Sequence, residues 1–135
     1  MSKVSNELAV NEMTRWLDYK KIKPAKRESN KEQADLIVSC IEEGQIEIDE
    51  ECNMKFNLNF PIHSDEGDVM LASMIFKPRL KVHEISAKMK GVKATDIDAR
   101  MAAYISASAQ INSGQVRNLD TEDFNVAQAV ILYFL

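Results

Sequence analysis

Lys20, Lys21, Lys23, Lys26 and Arg27 form the densest group of side chains in this sequence that could hold a charged ligand. Closely spaced cations attract polyanions in a salt-dependent way, so phosphate binding by this loop, centred on Pro24, is one chemistry the spacing allows. No aromatic residue is interleaved to stack on a base, and the acids Glu42, Glu43, Glu47, Asp49, Glu50 and Glu51 soon follow. Residues 1–31 carry a net +4 and residues 32–52 a net −8. The two fields are therefore expected to offset one another, across a helical hairpin or between adjacent subunits, and this is preferred to nucleic-acid binding.

Other reactive residue types are sparse. His63 falls in a turn and His83 at a helix start beside Glu84, so neither has a sequence-local partner for general-base work. Cys40 and Cys52 are the only cysteines, with no CxxC and no nearby histidine, which points to two unrelated thiols rather than a metal or redox pair. His63, Asp65, Glu66 and Asp68 lack the run of oxygen ligands and the terminal Glu of an EF-hand, and read as a polar turn. Nucleophile-elbow, phosphate-loop, dinucleotide and zinc-protease motifs do not occur. A non-enzymatic chain without cofactor or metal is the expectation.

The elements that must position these residues belong to one domain. The 135 residues are 45% hydrophobic and 28% charged, with a formal charge of −4 at pH 7, which is ordinary globular composition. The longest strictly apolar run, Ala129 to Leu135, is far short of the roughly 20 residues that span a bilayer. Asn6, Glu7, Asn11 and Glu12 interrupt any secretory core, so a cytoplasmic protein is expected.

Leu8, Ala9, Met13, Trp16 and Leu17 make a helical stripe from Ser5 to about Tyr19, and Pro24 separates it from the next element. Ser29 with Glu32 resembles a capping box before the stripe Ala34, Ile37, Val38 and Ile41, and Gly44 is placed to end that helix. Met54, Phe56, Leu58 and Phe60 then alternate with Lys55, Asn57 and Asn59, a strand with one apolar face. HSDEGD supplies a turn at residues 63–68, and Val69 to Phe76 returns as a second strand. Ile46 and Ile48 could add a short third one. After Pro78, Val82, Ile85 and Met89 share a helical face closed by Gly91. Thr95 and Asp98 suggest a cap for a small-residue helix ended by Gly114, and Asp120 caps the last helix, with Phe124, Ala127, Ile131 and Phe134 on its buried face. The fold class is thus α+β, mostly helical with a small antiparallel β-hairpin, in the order α-α-β-β-α-α-α. Residues 1–50 form an N-terminal helical segment and residues 54–135 the hairpin with its helices.

Nine of the ten residues from Val126 to Leu135 are apolar. Such a helix needs enclosure, by its own domain or by a partner, and Phe124, Ile131, Phe134 and Leu135 are the candidate partner or self-association surface. Seven methionines could make an adaptable surface, although most fall at core positions.

Over about residues 54–135 the layout resembles the tail assembly chaperone family of tailed bacteriophages. The residues that carry this are Leu119, Asp120, Asp123 and Phe124 in L-D-x-x-D-F, the apolar helix ending near Phe134 and Leu135, and FPI at Phe60 to Ile62. The resemblance implies a protein of the host bacterial cytoplasm, made during infection, that binds the tape measure protein and keeps it soluble until tail-tube protein polymerises around it. It also implies a homo-oligomer. A structural tail or head-tail component is the alternative nearest in class, and a small DNA-binding regulator using Lys20 to Arg27 is the more distant one.

Overall fold

A computed structural model describes residues 3–135, so the first two positions of the N-terminal segment lie outside the described residues. Helix α1 spans Asn6–Tyr19, and the Ser5 side chain accepts from the Leu8 amide to satisfy one of its free N–H groups. Its stripe Ala9, Met13, Trp16 and Leu17 is buried as the spacing predicts, while Leu8 stays exposed. The Lys20 to Arg27 region is not a plain loop. Pro24 opens a short helix α2, Pro24–Ser29, at the position where its missing N–H costs nothing. The Ser29–Glu32 capping box does not form: helix α3, Lys31–Glu42, starts after Asn30, and the Ser29 hydroxyl instead donates to the Lys26 carbonyl. Gly44 ends α3 as expected, with φ of 76°, a region a residue with a Cβ enters at a cost.

Three antiparallel strands follow, β1 at Ile46–Ile48, β2 at Met54–His63 and β3 at Val69–Phe76, in the spatial order β1-β2-β3. The fold is α+β, mostly helical, with the antiparallel hairpin that alternation predicts and the short third strand beside it. Register runs through Ile46 with Phe56 and Met54 with Phe76, so Ile46, Met54, Phe56, Met74 and Phe76 share the buried face. Leu58 continues that face but Phe60 does not; it is exposed. Between the pairs Asn57 with Ser73 and Ile62 with Leu71, β2 inserts extra residues that β3 does not match, and between Ile62 with Leu71 and His63 with Val69 the extra residue, Met70, is on β3. The 63–68 turn closes with Ser64 and Asp68 bonded through both backbone and hydroxyl, and Gly67 at φ of 90°.

The remaining helices are α4 at Val82–Lys88, α5 at Ile97–Ala109, α6 at Ser113–Arg117 and α7 at Thr121–Ile131, with a 3₁₀ turn at Leu132–Phe134. Helices α3, α7 and α5 lie against β1, β2 and β3 respectively. Two helix boundaries differ from the sequence reading. Asp96, rather than Thr95, caps α5 by accepting from the Ala99 amide, and α5 ends at Gln110 in the left-handed region, so Gly114 terminates nothing and sits inside α6. A single apolar cluster runs from Ala9 to Tyr133 through α1, α3, all three strands, α5, α6 and α7.

Candidate functional site

The two residue sets singled out in the sequence meet. Lys20 caps α1 at its C-terminal end, and its Nζ lies 3.5 Å from the centroid of the Phe134 ring and 5.4 Å from that of Trp16, while donating to the Pro78 carbonyl at 2.6 Å. Two ring faces and a carbonyl hold the ammonium by charge–quadrupole and charge–dipole attraction. Burial, then the like charges of Arg79 and Lys26, bring this amine down from its ordinary value to about 8. Lys26 Nζ donates to the Leu135 carbonyl, and Arg27 pairs with Asp18 at 2.9 Å and donates to the Ile22 carbonyl. The basic segment is therefore docked on the closing helix, α1 and the chain after β3. Among the described residues the basic segment makes no ion pair with the acids at 42–51: Glu43 pairs with Lys3, and Asp49 accepts from the amides of Glu51 and Asn53 to tie the β1–β2 turn. Lys21 and Lys23 stay exposed at the surface.

The closing segment is enclosed mainly by its own chain. Ile131 is fully buried, so as a surface residue it is corrected; Phe124 and Phe134 are partly buried and Leu135 is 51% exposed. Trp16 meets the Tyr133 ring edge-on at 5.8 Å and the Phe134 ring at 6.3 Å, and the Tyr133 hydroxyl donates to the Asn30 carbonyl at 2.7 Å. The terminal residues thus lock α1, α2 and α3 together. Phe124 lines an open pocket with Asp96, Ala102, Val116 and Leu119, away from the basic segment.

Asp123 is the residue whose role sequence spacing undervalued. Its place in the first turn of α7 complements the helix dipole. In the structure it is fully buried, and its two carboxylate oxygens accept from the backbone amides of Asn59 and Phe60 at 3.0 and 2.9 Å. The β2 bulge leaves these amides without ladder partners, and a carboxylate supplies two acceptors at the required separation. A signal was available: Asp123 stands between Glu122 and Phe124 at the point where α7 turns from its acidic first turn to its apolar stripe.

His63 and His83 are both exposed, on the hairpin tip and on α4. Cys40 and Cys52 are free thiols, both buried, and burial followed by the charge of Asp123 pushes Cys40 up to about 11. Cys52, between β1 and β2, is covered by Arg15, whose guanidinium also donates to the Ile48 and Asp49 carbonyls. Among the described residues no cluster of His, Cys, Asp or Glu has metal-site geometry, and no helix is long and apolar enough to cross a membrane.

The open apolar surface lies elsewhere. Helix α4 packs on α5 but leaves a groove of about 410 Å³ lined by Val82, Ile85, Ser86, Met89, Lys90 and Tyr104, with Val82 81% exposed. Comparison of the chain with protein-family models, with curated proteins and with solved structures returns no match.

Proposed function

We propose that this chain is a non-catalytic tail assembly chaperone of a tailed bacteriophage, acting in the host cytoplasm by binding the tape measure protein until tail-tube subunits assemble around it. The observation that carries this reading is the bond between its two sequence motifs. FPI at Phe60 to Ile62 and L-D-x-x-D-F at Leu119 to Phe124 lie far apart in sequence, yet Asp123 of the second holds the Phe60 amide of the first. A pair of short motifs that form one structural unit is stronger support for a shared fold than either motif alone. The groove between α4 and α5 offers the partner a place: Val82, Ile85 and Met89 present apolar surface at helical spacing, and Met89 can repack against varied side chains.

Co-expression with the tape measure protein of the same phage tests the reading. The chaperone is expected to retain that protein in the soluble fraction and to co-purify with it in high salt. Val82→Asp with Met89→Lys, at the first residue and the C-cap of α4 and both lining the groove, is expected to reduce retention at least tenfold while leaving the melting curve intact. A tape measure protein that stays insoluble and unbound beside the wild-type chain overturns the function, whereas undiminished retention by the double variant overturns only the groove as its site.

A further inference from the structure

We propose that the groove between α4 and α5 takes an acidic amphipathic helix, one whose apolar stripe is flanked by Asp and Glu. The inference rests on the reading that this groove seats the partner, and adds the chemistry of the segment that fits it. Residues 77–93, which contain α4, hold six bases and one acid in a chain whose formal charge is −4. That one acid, Glu84, is taken by Lys77 at 2.6 Å. Arg79, Lys81, Lys88, Lys90 and Lys93 are exposed and make no ion pair among the described residues. Asp96 and Asp98, the next acids along the chain, line a different pocket together with Arg117. The apolar surface of α4 therefore lies in a positive field that the chain itself leaves uncompensated.

The field reaches the groove at both ends. Lys90 lines it beside Met89. At Ile85 it adjoins a cleft of about 270 Å³ whose lining includes Lys20, Lys26 and Arg79 and no acid. These cations act on one another: burial lowers the basicity of Lys20, and the charges of Arg79 and Lys26 lower it further. Negative charge arriving with a partner relieves that repulsion. The walls favour a helix over a flat polyanion. Val82, Ile85 and Met89 of α4 form one side and the half-buried Tyr104 of α5 the other, a furrow into which a helix lays apolar residues spaced at i, i+3, i+4 and i+7. A nucleic-acid duplex or a lipid surface supplies the negative charge but no narrow apolar ridge. Apolar burial then holds the complex in high salt, while the flanking charges set the rate of encounter and the choice of partner.

Three synthetic helical peptides test this, each stapled on its outer face, with Leu at i, i+3, i+4 and i+7 and the flanking positions filled by Glu, Gln or Lys. Fluorescence anisotropy with the full chain is the readout. At low salt the Glu peptide is expected to bind at least tenfold more tightly than the Gln peptide, and the Lys peptide most weakly. The gap between Glu and Gln should close in high salt, where the charges are screened. Arg79→Glu with Lys90→Glu, both exposed, is expected to reverse the order of the Glu and Lys peptides with an unchanged circular dichroism spectrum and melting midpoint. Equal binding of the three peptides or none, a preference for Lys, or an order that Arg79→Glu with Lys90→Glu leaves unchanged overturns the proposal. Tighter binding of a DNA duplex or of phosphatidylglycerol vesicles than of the Glu peptide overturns it in favour of a polyanion surface. A chain that retains the tape measure protein yet shows no preference for the Glu peptide loses this inference alone. One that prefers the Glu peptide but leaves the tape measure protein insoluble loses the function and keeps the groove chemistry.

Discussion

Asp123 shows how one side chain decides the course of a strand. The bulge in β2 has to place two amides away from the ladder, and each would be left short of an acceptor in a partly buried setting. Asp123→Ala is therefore expected to cost about 3 kcal/mol or more, at roughly 1.5 kcal/mol or more for each hydrogen bond to a charged group. Asp123→Asn, which keeps one acceptor, should cost less. Urea unfolding midpoints check the order, and amide exchange at Asn59 and Phe60 should quicken in both variants ahead of the rest of β2. Lys20 gives a pH dependence whose sign follows from its depressed value. The unfolded amine titrates near 10.5 and the folded one at about 8, so between these the unfolded chain binds more protons and stability rises with pH. Cys40 opposes it higher up, because a thiol raised from 9.0 to about 11 makes stability fall over that range. The difference between wild type and Lys20→Met isolates the amine. From about pH 7.5 to 9 it should move in favour of wild type by about 0.5–1 kcal/mol, allowing for the solvent that still reaches Lys20. A pH-independent difference would show that the rings and the Pro78 carbonyl hold the charged form without cost.

At the scale of elements, periodicity was a good guide wherever one face had to be buried along the whole length. The stripe of α1 apart from Leu8, the stripe of α3 and the strand alternation from Met54 to Leu58 meet the core as their spacing predicts. It failed where a local event interrupts the period. Phe60 leaves the face because of the bulge, and Val82 stays in solvent because α4 is laid on α5 rather than beneath it. Helix ends were read from cap residues, and neighbouring candidates competed: Ser29 with Asn30, Thr95 with Asp96. Each choice turns on which backbone leaves the helical region, a matter of a few tenths of a kcal/mol that the type of a residue does not decide. Of the candidate surface, Leu135 is half exposed and Ile131 is not, though both sit in one apolar run.

For the whole molecule, the N-terminal helices are part of the core rather than an appendage. Trp16, Ile37 and Ile46 are fully buried against residues that belong to the 54–135 layout, including Phe56, Ile131 and Tyr133. A fragment of residues 54–135 is therefore expected to lack a cooperative melting transition and to bind a hydrophobic dye, while the full chain melts in one step; circular dichroism of both checks it. A fragment that melts cooperatively would show that α1 and α3 are dispensable. The sequence by itself determined the fold class, the order of the major helices and the hairpin, and the enclosure demanded by an apolar closing helix, because these depend on local period and on the bulk tendency of apolar surface to leave water. Only the tertiary structure decided that the basic segment is spent on Phe134, Leu135 and Asp18, that Asp123 is a backbone clamp, and that β3 is the sheet edge met by α5. Those outcomes depend on which distant groups arrive within a few ångströms of one another, and spacing along the chain carries no distance between residues a hundred positions apart.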